Sequence, residues 1–226
     1  MRRFDCIVLI VFFLVPVRGR AAHNPLLPRP QQITYGAGRL AVRGLGIEFV
    51  SSPSPEDRFA AHQLSKWLGS RAGTEIPIWE SKGSGPAIVL DRTGAVDALP
   101  VPGDKPGPDS REAYELKVTP SGVTIHARSS AGIFYGAETL RQLIEGEGEQ
   151  AVLPEVEIHD WPSLAYRGTM VDMSHGPLPT VQEVERQLDF LARVADEISD
   201  ALRERLAQRR IGLIAPHPSI RCKPPA

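Results

Sequence analysis

Between Ala113 and Ser129, in AYELKVTPSGVTIHARS, apolar and polar side chains alternate. Tyr114, Leu116 and Val118 share one face of the first half, Val123, Ile125 and Ala127 one face of the second, and TPSG lies between them. Period-two alternation broken by turn residues predicts a β-hairpin with one face buried. Two other stretches carry the longer period of a helix. In Ser54–Ser70, Ala60, Leu64, Trp67 and Leu68 fall on one face, after a first turn of Pro55, Glu56 and Asp57 that suits the positive end of the helix dipole. In Ser130–Gly146, Ile133, Ala137, Leu140 and Ile144 recur in the same way. Gly44–Val50 and Leu153–Asp160 read as further strands, and the apolar run Pro86–Arg92 as a buried one. Asn24–Gly38 is proline-rich and predicts an extended opening segment laid over a domain, while Asp97–Ser110, dense in Pro and Gly, predicts a loop. Together these elements predict an α+β fold. Residues 25–160 form a two-layer domain whose helices cover a mostly antiparallel sheet.

After Pro162 the pattern changes. Ala165–Met173 predicts a strand ending in polar residues, GPLPT a loop, and Val181–Val194 an amphipathic helix with Val184, Leu188 and Leu191 on one face and Thr180 as N-cap. One βα unit cannot bury both faces of its strand, so residues 161–193 are no domain by themselves. Residues 194–226 diverge again. They are first charged, then broken by Pro216, Pro218, Pro224 and Pro225, which admit neither helix nor strand. A truncated or frameshifted reading frame is expected to make so abrupt a change, and a genuine alternative ending is the rival.

The other end reads as export. Arg2 and Arg3 precede an apolar run from Cys6 to Val17, and Arg18–Ala22 is a polar exit closing on two alanines. Residues 1–22 therefore read as a secretory signal, too short for a comfortable membrane span, with an uncleaved anchor as the alternative. Cleavage leaves no stable membrane span and removes Cys6, so Cys222 has no internal disulfide partner. The formal net charge of −1 gives no basic surface for nucleic acid. The six histidines show no metal-ligand spacing, and Gly36, Gly38, Gly44 and Gly46 lack a dinucleotide fingerprint, so neither a metal nor a cofactor is expected.

Four segments now carry a resemblance: LLPRPQQI, then EAYELKVTPSGVTIHARSSAGIFYGAETLRQLI, then VEIHDWPSLAYRG, and finally YRGTMVDMSHGPLPTVQEVERQLDFLA. The chain resembles the amino-terminal part of a family-20 glycoside hydrolase, a β-N-acetylhexosaminidase. The resemblance implies a non-catalytic accessory domain followed by the incomplete start of a (β/α)8 barrel. It also implies a partner, a glycan ending in β-linked N-acetylhexosamine. Arg167 is implied to bind ring hydroxyls of that sugar, a role suited to a planar, two-pronged donor, although by its position alone an ion pair at the domain junction is the simpler role. Asp172 lies at the end of the barrel strand. It reads either as a catalytic carboxylate or, as we prefer, as a supporting residue that caps the loop or orients Arg167. Ser174 and His175 make no triad, since sequence neighbours rarely meet in that geometry.

The family mechanism uses the substrate's own acetamide as nucleophile, with an Asp-Glu pair after a strand and a glycine turn. The pair Asp196-Glu197, in RVADEISDALRER, has neither before it and reads as solvated helix carboxylates. No catalytic residue is assigned, and the chain alone is expected to be inactive. A non-catalytic module that binds a partner domain or glycan is the alternative.

Overall fold

Strand β7 (Val152–Asp160) lies second from one edge of a seven-stranded sheet and forms the last element of the domain. The other elements, in chain order, are β1 (Gln32–Ala41), β2 (Gly46–Phe49), α1 (Pro55–Ala72), β3 (Ile78–Trp79), β4 (Ala87–Arg92), β5 (Tyr114–Thr119), β6 (Gly122–Ala127) and α2 (Ser130–Gln142). The computed structural model describes residues 26–80, 83, 85–96, 102–168, 179–187 and 190.

The sheet order is β1-β7-β5-β6-β4-β2-β3. The pairs β1–β7, β7–β5 and β5–β6 are antiparallel, while β6–β4, β4–β2 and β2–β3 are parallel. The expectation of a mostly antiparallel sheet is thus corrected to an evenly mixed one. The cause is α1, which carries the chain from β2 over the sheet face so that β3 returns in the same direction. The opening segment is also more regular than expected, since β1 pairs with β7 along the sheet edge.

Both helices begin where the local chemistry directs. Ser54 caps α1, its hydroxyl accepting from Asp57 N while Asp57 accepts from Ser54 N, a reciprocal box with Pro55 just inside the helix. Ser129 caps α2 by accepting from Ala131 N and Gly132 N at 3.1 and 3.4 Å. The two helices cover one face of the sheet, burying Leu64, Leu68, Ile133 and Leu140 against Ile47, Ile88, Leu116, Ile125 and Ile158. Trp67, expected on the buried face of α1, is only partly buried and stacks under the Arg141 guanidinium at 5.4 Å. The opposite sheet face is polar: Asp91, His126, Glu115 and His159 stand side by side across β4, β6, β5 and β7.

Candidate functional site at the domain exit

The residues quoted for the resemblance do structural work around the end of β7. Gly132 and Gly136, one turn apart on α2, let the helix touch the hairpin. A Cβ on Gly132 would stand 2.5 Å from the Ala113 carbonyl oxygen, and one on Gly136 would stand 2.5 Å from Ile125 Cγ2. That close approach lets Thr139 reach β5, where its hydroxyl lies 2.6 Å from Tyr114 Oη. The Tyr114 hydroxyl is also 3.0 Å from Asp160 Oδ2, and Asp160 Oδ1 accepts from Gln31 N at 3.1 Å. One hydrogen-bonded chain therefore joins α2, β5, β7 and the opening segment where the polypeptide leaves the sheet.

Beyond Asp160 the chain is held by the loop that precedes β5 and by the opening segment. Gly107 N donates to Pro162 O at 3.1 Å, Gly103 N to Tyr166 Oη at 3.0 Å, and Gln31 Nε2 to Ser163 Oγ at 2.8 Å. Arg167 lies in the middle of this junction, its side chain only 11% exposed. Its Nη1 donates to Leu164 O at 2.7 Å, its Nη2 pairs with Glu112 Oε2, and its guanidinium sits 5.7 Å from the centre of the Tyr135 ring. Glu112, 8% exposed, receives a second donor at Oε1 from Arg111 Nη2 at 3.0 Å. Arg111 Nε in turn donates to Asp104 Oδ2 at 2.7 Å. Asp104, Arg111, Glu112 and Arg167 form a line of alternating charge, which is how a poorly solvated ion keeps its compensation.

Arg167 was reached from sequence, but Glu112, its partner, was not. Glu112 stands at the rim of a Pro/Gly-rich loop, and only the expectation that a buried guanidinium needs a carboxylate points to it. Asp172, Ser174, His175, Asp196, Glu197, Cys6 and Cys222 lie outside the described residues. So does the second half of the expected barrel strand, whose first half, Ala165–Gly168, is irregular. Thr180 caps a helix as expected, its hydroxyl accepting from Glu183 N at 3.2 Å.

Close to Arg167, the amino ends of α1 and α2 leave an open groove of about 390 Å³ lined by Pro55, Glu56, Phe59, Ser130, Ala131, Phe134 and Tyr135. Phe59, 52% exposed, stacks on Phe134 with centroids 6.3 Å apart. Among the described residues its lining has one carboxylate, Glu56. Among the described residues no three His, Cys, Asp or Glu side chains are placed to hold a metal ion. No described helix is long and apolar enough to cross a membrane.

Comparison with known proteins agrees with the geometry. Residues 23–161 match the family described as glycosyl hydrolase family 20, domain 2. A β-hexosaminidase of Porphyromonas gingivalis is 34% identical over 176 residues, covering 74% of this chain and 21% of that protein. The N-acetyl-β-hexosaminidase of Streptomyces plicatus, solved in complex with Thio-NAglucal, is 29% identical with a TM-score of 0.59, covering 79% of this chain and 34% of the enzyme. A mutant of the Streptomyces enzyme, 28% identical with a TM-score of 0.59, is solved with its product GlcNAc and covers 77% of this chain and 34% of its own. The chain thus spans about a fifth to a third of the length of these relatives. With its mixed sheet, its two covering helices and a family match over most of its length, the chain belongs to glycosyl hydrolase family 20, through domain 2 of that family.

Proposed function

We propose that this chain is the amino-terminal part of an exported β-N-acetylhexosaminidase, with residues 25–160 as its accessory domain and residues 161–193 as the first βα unit of its barrel. The observation that carries this reading is the match of residues 23–161 to domain 2 of family 20. The GlcNAc product held by the Streptomyces enzyme supports a terminal β-linked N-acetylhexosamine as the substrate class. The basic, apolar and small-residue succession of Met1–Ala22 supports export. The chain by itself is proposed to be inactive, because its one Asp-Glu pair, Asp196-Glu197, lacks the strand and glycine turn the mechanism needs before it.

Two assays on a chromogenic N-acetyl-β-glucosaminide test this reading. The purified chain is expected to give no turnover. Residues 1–168 joined to the remainder of the Porphyromonas β-hexosaminidase are expected to give a hydrolase. Any turnover by the chain alone would sink the inactivity, and turnover that survives Asp196→Asn with Glu197→Gln would place the catalytic residues elsewhere in the chain. A folded but inert joined protein would sink the hexosaminidase reading.

Arg167 has two candidate roles in such an enzyme: contact with sugar hydroxyls, or a tie to Glu112. Its commitment to Glu112 and to the Leu164 carbonyl favours the tie. In the joined enzyme, Arg167→Ala at a sugar contact lowers kcat/KM about a hundredfold with little change in Tm, whereas at a tie it lowers Tm and spares the efficiency of the folded fraction.

A further inference from the structure

We draw no further inference here: the strongest candidate, the open groove between the amino ends of α1 and α2 around the stacked rings of Phe59 and Phe134, is an unpartnered apolar face, and nothing in the structure shows what covers it.

Discussion

Replacing Asp57 by alanine removes the residue on which the starts of both helices and the end of β4 converge. Its side chain is 4% exposed, and that of its partner Arg92 is 12% exposed. Oδ2 accepts from Ser54 N and from Arg92 Nε, both at 2.9 Å, and the Ser54 hydroxyl lies 3.3 Å from that of Ser130 at the start of α2. Loss of a capping interaction costs about 0.5–2 kcal/mol. Breaking a buried ion pair by removing one partner costs about 3–5 kcal/mol. Arg92 keeps its bonds to the Gly94 and Ser52 carbonyls, so the lower end of that range applies and the sum is about 3.5–5 kcal/mol. For a domain of roughly 140 residues this lowers Tm by about 12–17 °C. Thermal and urea unfolding followed by circular dichroism at pH 7 measure it.

The acid dependence supplies a second check. Burial pushes the Asp57 carboxyl up, but the Ser54 N–H and the Arg92 guanidinium together hold it below its ordinary value of 3.8. A carboxyl with a lowered folded pKa contributes stability that is complete above the unfolded value and is lost as pH falls through the folded one. The gap between wild type and Asp57→Asn is therefore expected to be full at pH 7 and to shrink below about pH 4. An Asp57→Ala protein within about 1 kcal/mol of wild type at pH 7, or a gap to Asp57→Asn that does not change with acid, would refute the reasoning.

Gly132→Ala gains about 1 kcal/mol in helix propensity yet is expected to destabilise by about 1–3 kcal/mol, because its Cβ would meet the Ala113 carbonyl; urea midpoints test the sign. Tyr114→Phe removes the hydroxyl shared by Thr139 and Asp160 and is expected to cost about 1–3 kcal/mol, read from the same curves. Leu116→Ala, at a position with no exposed surface, is expected to cost about 2–5 kcal/mol, and a smaller loss would mean that the helices do not seal that face. A chain ending at Asp160 is expected to be about 1–3 kcal/mol less stable than one ending at Gly168, since it lacks Arg167 and the other bonds of the exit; equal stability would show that the junction contributes nothing.

Periodicity was enough to find the hairpin and both helices. Whether Leu116 and Ile125 face inward follows from period two, and whether Ser54 ends a helix follows from one hydroxyl and the amide three residues on, all within a few residues of chain. The same local signals failed at β1, where Gly36 and Gly38 interrupt the alternation. There the register with β7 shifts between Tyr35 and Arg39, and Glu155 of β7 accepts from Gly38 N, so the strand exists because its partner is there. They failed also on strand direction, since an apolar run reads alike whether its neighbour is parallel or antiparallel, and the crossover of α1 decides between the two. Arg167 shows the same limit within the candidate site. Its charge and its place at the entry to an apolar strand were legible, but its partner Glu112 lies 55 residues earlier in a loop. Only the folded sheet, by setting β5 beside β7, brings that carboxylate to the exit and lets it compensate a charge that the chain around Arg167 cannot solvate.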